Sequence, residues 1–280
     1  MFTFKKQTDL KQHLQYFHCS KTIGFVPTMG ALHDGHLALM QQSLLDNEVT
    51  IVSIFVNPTQ FNNAADLEKY PRTLEKDSHK IQNLSDDIII FAPTVDDMYE
   101  GKAVSEKFDF DGLELQMEGK HRPGHFDGVG TIVKKLFDIV TPTKAYFGEK
   151  DFQQLQIIKK MVEKLHLKVE VVTCPIFRES NGLAMSSRNE RLIENDKATA
   201  KIIYETLLQA KMLFGTKSAK EVLQYVENVF ESVDGFTLEY FEIAFEDTLL
   251  PCLEKSESRK CRAFVAVFVG DVRLIDTMQL

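Results

Sequence analysis

The hydrophobic pattern in the first two thirds of the chain alternates between short apolar runs and longer amphipathic segments. Apolar runs occupy residues 22 to 27, 49 to 56, 87 to 91, 144 to 147 and 169 to 173. Amphipathic or charged segments at 8 to 18, from about 36, at 65 to 84, 125 to 140 and 157 to 165 separate them. Because buried parallel strands alternate with helices in this way, the pattern predicts an α/β domain with a Rossmann-like parallel sheet.

The pattern changes after about residue 175. Helical segments at about 189 to 214 and 218 to 232 precede runs of alternating polarity at 237 to 244, 262 to 269 and 272 to 276. Gly270 and Asp271 form a two-residue hairpin signal between the last two runs. We therefore expect a nucleotide- and substrate-binding domain over 1–175, followed by a smaller α+β domain with an antiparallel sheet over 176–280.

Residues 101 to 124 fit neither pattern. An alternating piece that contains Val104, Phe108 and Phe110 leads into the loop E-G-K-H-R-P-G-H-F. The sequence leaves three alternatives open here: an edge hairpin, a dimer contact or a flap over an active site.

Composition describes an ordinary globular protein of 280 residues, with 44% hydrophobic and 26% charged residues. This length suits one large domain or two unequal ones. The net charge is −8, from 33 basic and 41 acidic residues. There is no basic surface pattern for a nucleic-acid partner, so an anionic ligand would have to be bound by local positive groups.

The chain shows no targeting signal at its start, where Met1 to Lys6 run into polar residues, and no apolar run of membrane-spanning length. We therefore expect a cytoplasmic protein without a membrane partner. The four cysteines, Cys19, Cys174, Cys252 and Cys261, form no C-x-x-C pair, which favours free thiols in a reducing compartment.

The most informative stretch is I-G-F-V-P-T-M-G-A-L-H-D-G-H, from Ile23 to His36. It reads as a buried strand that ends in a loop, followed by the start of a helix. Ligands bind at this edge of open α/β sheets, and a helix N-terminus offers N–H groups to an anion such as phosphate. His33 and His36 would share one face of that helix. The alternative is that they are surface or capping residues, since H-x-x-H also occurs by chance.

Three further polar loops strengthen the functional interpretation: N-P-T-Q-F after the second run, F-G-E-K-D-F-Q-Q after the fourth, and M-S-S-R near the domain junction. Two imidazoles, the Lys150 ammonium, the Arg188 guanidinium and two serine hydroxyls could bind a polyphosphate. Gln60 and Gln154 could bind hydroxyl and carboxylate groups of a small molecule.

Together with Y-P-R-T, R-P-G-H-F and G-L-A-M-S-S-R-N, these motifs resemble those of the pantoate–β-alanine ligase (pantothenate synthetase) family of the HxGH nucleotidyltransferase superfamily. They occur in the family's order and spacing from residue 22 to about 195. The resemblance implies an enzyme that uses ATP and Mg²⁺ to adenylate (R)-pantoate with release of pyrophosphate. The acyl group then passes to β-alanine with release of AMP. It also implies a homodimer formed through the N-terminal domain and a C-terminal lid domain.

The same resemblance assigns roles to individual residues. His36 is the expected proton donor, and His33, Lys150 and Arg188 are expected to stabilise charge on the phosphates. Gln60 and Gln154, with the Met29 backbone, are expected to bind pantoate, and Asp77 matches an acidic position linked to Mg²⁺. The expected ATP-binding residues are Met29, Gly30, Ala31, Leu32, His33, Asp34, Gly35, His36, Gly148, Glu149, Lys150, Asp151, Phe177, Met185, Ser186, Ser187 and Arg188.

Two alternative functions remain compatible with these motifs. A nucleotidyltransferase of the same superfamily would transfer AMP to a phosphorylated acceptor and leave it there. A nucleotide-binding regulatory module would bind the nucleotide without turnover.

Overall fold

A computed structural model describes residues 1–17, 20–99, 101–255 and 258–280, so Cys19 and the last position of the first predicted helix, His18, lie outside the described residues. The described strands form a six-stranded parallel sheet and a three-stranded antiparallel sheet. The strands are β1 (Thr3–Phe4), β2 (Ile23–Thr28), β3 (Val49–Ile54), β4 (Ile89–Phe91), β5 (Lys144–Gly148), β6 (Glu170–Cys174), β7 (Phe236–Phe245), β8 (Cys261–Val269) and β9 (Val272–Gln279).

The parallel sheet has the strand order β1-β4-β3-β2-β5-β6. From β2 the chain moves outward to β3 and β4, and it then returns to place β5 on the other side of β2. This reversal creates a topological switch point at the carboxyl ends of β2 and β5, where ligands bind in sheets of this type. The predicted α/β fold class is confirmed, although the two-residue strand β1 is too short to leave a periodic signal in the sequence.

The helices cover both faces of the parallel sheet. Phe25 on β2 packs edge to face against Phe137 of the long, buried helix that follows Gly124. On the opposite face, Val26 shares a core cluster with Met40 and Ile81. The α-helices of the described residues are α1 (Gln7–Leu14), α2 (Asp34–Asp46), α3 (Ala64–Lys69), α4 (Leu74–Leu84), α5 (Val95–Tyr99), α6 (Met117–His121), α7 (His125–Val140), α8 (Phe152–Lys164), α9 (Glu194–Thr199), α10 (Ile202–Phe214) and α11 (Ala219–Glu231).

Two predicted helices are interrupted. The segment at 65 to 84 divides into α3 and α4 around Pro71, because proline disfavours helical geometry in the residue before it. The segment at 189 to 214 divides into a 3₁₀ helix (Ser187–Arg191) followed by α9 and α10. Of the three alternatives for residues 101 to 124, the edge hairpin is wrong: this segment contains a 3₁₀ turn (Leu113–Leu115) and α6, and no strand.

The antiparallel sheet has β8 between β7 and β9. Val269 pairs with Val272 across Gly270 and Asp271, so the predicted two-residue hairpin is confirmed. α10 and α11 pack against this sheet, and α11 begins with a capping box in which Ser218 and Glu221 bond each other's backbone N–H groups.

The antiparallel sheet packs directly against the loop that follows β5. Phe264 of β8 contacts Phe152 with ring centroids 6.0 Å apart, and the Arg262 guanidinium lies 4.0 Å from the centroid of the same Phe152 ring. Arg262 also donates to Glu149 over 3.0 Å. The two sheets are therefore joined at the switch point, while the domain boundary at residue 175 stays a prediction.

Two smaller predictions concern cysteines and membrane spans. Cys174, Cys252 and Cys261 are free, as predicted, and all three are buried. None of the described helices combines the length and apolar character needed to cross a membrane.

A stability prediction follows from the close approach of β2 and α2. A Cβ atom on Gly24 would lie 2.1 Å from Oγ of Ser43 and 2.5 Å from Nδ2 of Asn47. Gly24→Ala therefore forces β2 and α2 apart, and we expect a loss of about 1–3 kcal/mol in the free energy of unfolding, measured by urea denaturation. Gly148→Ala is the matched control, since a Cβ there meets no atom within 4 Å. Equal stability of the two variants would contradict the packing described here.

Candidate active site

The loop between β2 and α2 is a tight, left-handed turn. Gly30 has φ +81° and Ala31 has φ +50°. The Thr28 hydroxyl accepts from the Gly30 N–H over 3.2 Å and donates to the Ser53 carbonyl over 2.7 Å, which attaches the turn to β3. Left-handed backbone is unfavourable for a residue with a side chain, so Ala31 needs external support.

Asp77 of α4 supplies that support. Its carboxylate is 1% exposed and accepts from the N–H groups of Ala31 and Leu32, over 2.9 and 2.8 Å. The Thr73 hydroxyl donates to it over 3.2 Å, and Lys80 donates to the Leu32 carbonyl over 2.5 Å. These contacts give Asp77 a loop-holding role. Its predicted contact with Mg²⁺ stays a prediction, and the described residues contain no cluster of three or more His, Cys, Asp or Glu that could hold a metal ion.

His33 and His36 meet at the N-terminus of α2, with ring centroids 4.0 Å apart. Nδ1 of His36 accepts from the backbone N–H of His33 over 3.3 Å. A neutral ring that accepts at Nδ1 carries its proton on Nε2, so His36 is a hydrogen-bond donor through that atom. Nδ1 of His33 is buried and has no hydrogen-bond partner among the described residues.

Both imidazoles are neutral at pH 7. Burial, together with the charges of Lys150 and Lys80, lowers the pKa of His33 to about 4. Burial also holds the pKa of His36 well below 6.5, aided by His33 and the same two lysines. The lysine charges, the neutral rings and the helix N-terminus together favour an anion at this position.

Gly35 allows the next segment of the site to approach. A Cβ on Gly35 would lie 2.9 Å from the His33 ring and 3.4 Å from Cβ of Phe177. The Phe177 side chain is partly exposed. The backbone carbonyl of Phe177 accepts from the Met185 N–H over 3.0 Å. Phe177 and Met185, which are among the predicted ATP-binding residues, therefore lie beside the histidine loop.

The loop after β5 contributes Lys150. Residues Glu149–Asp151 form one 3₁₀ turn directly after Gly148. The Lys150 ammonium is mostly buried and lies 3.5 Å from the Asp151 carboxylate. The positive charge of Lys150 lowers the pKa of both His33 and His36.

The M-S-S-R segment is ordered by several contacts. The Ser186 hydroxyl caps the following 3₁₀ helix by accepting from the Arg188 N–H over 3.3 Å, and the Ser187 hydroxyl lies 3.4 Å from the Tyr70 hydroxyl. The Arg188 guanidinium donates to Asp66 of α3 over 3.0 Å. The Asp66 carboxylate is thus bound to Arg188 in this structure.

Gln60 joins the loops that follow β2 and β3. Its Nε2 lies 3.1 Å from the Met29 sulfur, and its Oε1 accepts from Asn57 over 3.2 Å. Its carbonyl accepts from Nδ1 of His125 over 2.8 Å. The side chain of Gln60 is therefore held beside Met29.

A cavity of about 440 Å³ lies between the two sheets. Of the predicted site residues, Lys150, Asp151, Gln154, Ser186 and Arg188 line it. The other predicted residues, including those from Met29 to His36, Gln60 and Phe177, are not part of its wall. Lys150 connects the two groups, because it lines the cavity and also lowers the pKa of both histidines.

Charges of both signs line the cavity although the whole chain is acidic. The basic side chains are Lys69, Arg122, Lys150, Arg188, Arg191 and Arg273, and the acidic ones are Asp66, Glu118, Asp151, Glu239, Asp271 and Asp276. Most of the basic residues belong to no role that the sequence predicted. The sequence could have indicated Arg122 as a site residue, because it lies within the R-P-G-H-F motif. Arg273, in contrast, reaches the cavity only through the packing of β9.

The family model for pantoate–β-alanine ligase matches residues 2–279. A pantothenate synthetase of Flavobacterium psychrophilum is 63% identical over 281 residues, which is 100% of each chain. A pantothenate synthetase of Bacteroides fragilis is 47% identical over 272 residues, covering 97% of this chain and 96% of the relative.

Solved structures give the same result. The pantothenate synthetase of Thermus thermophilus matches with a TM-score of 0.91 and 40% identity, covering 100% of this chain and 99% of the other. The pantoate–β-alanine ligase of Francisella tularensis, complexed with β-γ ATP and β-alanine, matches with a TM-score of 0.81 and 34% identity, covering 100% and 97%. The chain belongs to the pantoate–β-alanine ligase family.

Proposed function

We propose that this protein condenses (R)-pantoate with β-alanine to form pantothenate, using ATP and passing through a pantoyl-adenylate. Membership of the family supports the reaction. The observation that carries the residue assignment is the meeting of two neutral imidazoles with Lys150 at the N-terminus of α2. This is a site for an anion whose charge grows during the reaction.

In the first step an oxygen of the pantoate carboxylate attacks the α-phosphorus of ATP. The bond between this phosphorus and the bridging oxygen breaks, and pyrophosphate leaves. We assign His36 Nε2–H and His33 to the phosphate oxygens, with Lys150 and Arg188 as balancing charges and Ser186 and Ser187 as further donors. No side chain becomes covalently bound, so the enzyme acts through positioning and charge stabilisation.

In the second step the amine of β-alanine attacks the carbonyl carbon of the adenylate. The C–N bond forms, the bond from that carbon to the AMP oxygen breaks, and the amine nitrogen loses a proton. A free carboxylate is a poor acyl donor, whereas the mixed anhydride carries a good leaving group. We assign Gln60, Gln154 and the Met29 backbone to pantoate, because Gln60 is already oriented by Asn57 and Met29.

Mg²⁺ enters the proposal as the ion that accompanies the ATP phosphates. Mg²⁺ commonly keeps several waters and binds through substrate phosphates with one or two carboxylates. Both oxygens of Asp77 already accept hydrogen bonds, so this carboxylate does not fit as an open ligand in the arrangement described. No step of the proposed mechanism depends on a protein ligand to the ion.

Residues 176–280 are proposed to act as a lid over the nucleotide. Arg188 donates to Asp66 of α3 through Nη2, and we propose that it turns towards a phosphate when the lid closes. Closure would exclude water and protect the adenylate from hydrolysis. The homodimer and the cytoplasmic location stay predictions from the sequence.

Two alternatives are separated by their products. A nucleotidyltransferase would retain AMP on its product, whereas the ligase releases AMP, pyrophosphate and an amide that mass spectrometry distinguishes. A regulatory module would show no turnover.

The decisive assay is pantoate-dependent exchange of labelled pyrophosphate into ATP without β-alanine. We expect the wild type to catalyse it, and His36→Ala and Lys150→Ala to lose at least about 100-fold while keeping the fold, because each removes a group that stabilises the transition state. Lys164→Ala is the control, since Lys164 forms a surface ion pair with Asp109 and has no role in the proposed mechanism. Near-wild-type exchange in either site variant would remove that residue from the mechanism.

A second prediction separates the two roles of Asp77. Asp77→Asn keeps one acceptor oxygen but leaves the N–H of either Ala31 or Leu32 without its partner. We expect a loss of about 1–3 kcal/mol in stability, faster amide exchange at these two residues and an increased KM for ATP. The dependence of activity on Mg²⁺ concentration should not change. A change in the Mg²⁺ dependence with normal amide protection would instead place Asp77 on the ion.

A third prediction concerns protons. Without ATP, the pKa of His33 in the protein is about 4, so its ring is neutral at about pH 6. The negative charge of a bound phosphate would raise this pKa. The ATP complex then binds more protons than its separate components, and affinity rises as the pH falls. Titration calorimetry in two buffers of different ionisation enthalpy should show more proton uptake for the wild type than for His33→Asn. Equal uptake would contradict a phosphate contact at His33.

A further inference from the structure

A chain of buried polar contacts connects the antiparallel sheet to the loop that carries Gln60. It begins at Arg273 on β9, which binds Glu118 of α6 through two hydrogen bonds of 2.9 and 2.6 Å. The Tyr240 hydroxyl on β7 donates to the same carboxylate over 2.7 Å. Glu118 is 8% exposed, so one buried carboxylate receives three hydrogen bonds from two residues of the antiparallel sheet.

The same carboxylate faces the parallel-sheet side through Arg122. This guanidinium lies 3.4 Å from Glu118 and donates to the Gln60 carbonyl over 3.4 Å. His125 donates from Nδ1 to that carbonyl over 2.8 Å, and its Nε2 accepts from Arg122 over 3.3 Å. Burial and the charge of Arg122 lower the pKa of His125 to about 4, so its ring is neutral and can both donate and accept.

Neighbouring contacts make this chain rigid. The backbone N–H of Glu118 donates to Gln153 over 2.9 Å, and Gln153 in turn donates to the carbonyls of Leu113 and Gln116. A Cβ on Gly128 would lie 2.3 Å from the Thr59 carbonyl, so α7 contacts the Pro58–Gln60 turn directly. Direct contacts therefore hold both α6, through Gln153, and the Pro58–Gln60 turn, through α7.

The charge of Glu118 is maintained despite its burial. Burial raises its pKa, but the hydrogen bonds and charge of Arg273, the Tyr240 hydroxyl and the charge of Arg122 outweigh this effect and bring the pKa to about 2. A buried ion that loses its partners is strongly unfavourable. Removing Arg273 and Tyr240 from Glu118 would therefore remove the contacts that keep this buried carboxylate charged beside Arg122.

We propose that Glu118 is a positioning residue that couples docking of the antiparallel sheet to the orientation of Gln60. Its carboxylate holds Arg273 and Tyr240 on one side and Arg122 on the other, and Arg122 holds the Gln60 carbonyl. The inference rests on the proposed function in one respect, since Gln60 is there assigned to pantoate. It also gives residues 101 to 124 a role that their sequence left open.

The test compares Glu118→Gln with the matched control Asp247→Asn. Asp247 also binds an arginine of the C-terminal unit, Arg259, but this pair is exposed and has no contact with Gln60. For Glu118→Gln we expect amide hydrogen exchange at Thr59 and Phe61 to become about tenfold faster, and the KM for pantoate to rise about tenfold, because small misplacements are costly in a positioned site. The KM for ATP should stay within about twofold, and Asp247→Asn should change none of these values.

A milder variant covers the case in which Glu118→Gln does not fold. Tyr240→Phe removes one donor to Glu118 and leaves the Arg273 contact in place. We expect the same two readouts to change in the same direction by a smaller factor, again without an equal change in the KM for ATP.

The outcomes separate this inference from the proposed function. If the folded variants match Asp247→Asn, or if the KM values for pantoate and ATP rise together, Glu118 does not position Gln60. If the wild type shows no pantoate-dependent exchange, the proposed function fails. In that case amide exchange at Thr59 and Phe61 still decides whether Glu118 holds the loop.

Discussion

The geometry of the site depends on one buried carboxylate that binds backbone rather than substrate. Asp77 holds the N–H groups of Ala31 and Leu32, and thereby stabilises a left-handed turn that carries a residue with a side chain. Only with this turn does α2 begin at Asp34, with both imidazoles at its first turn. The parallel sheet brings β2 and β5 side by side, and Asp77 holds the loop that leads from β2 to the histidines.

Carboxylate groups lie beside the basic side chains to which the proposed reaction assigns phosphates. Asp66 occupies Arg188 and Asp151 lies beside Lys150, so the basic groups of an acidic protein are balanced before a ligand arrives. The imidazoles differ, because burial keeps them neutral and the lysines discourage their protonation. In the proposed mechanism, Arg188 would exchange the Asp66 carboxylate for a phosphate when the proposed lid closes.

The sequence predicted what depends on local chemistry. Apolar runs identified the strands of the parallel sheet except β1, and Gly270-Asp271 located the last hairpin. The motifs identified the loops that contain His33, Gln60 and Lys150. The sequence could not predict Asp77 as the support of the β2 loop, since its partners are backbone groups more than forty positions away. It could not place Arg273 against Glu118 either, because that contact depends on how two sheets pack.

In the proposed mechanism, pantoate is activated when its own carboxylate oxygen bonds to the α-phosphorus of ATP. The most direct measurement uses pantoate labelled with heavy oxygen in the carboxylate, followed by mass spectrometry of all products after complete turnover with β-alanine. The mechanism predicts that AMP carries one labelled oxygen for each pantothenate formed, while pyrophosphate carries none. Unlabelled AMP, or label in pyrophosphate, would contradict it.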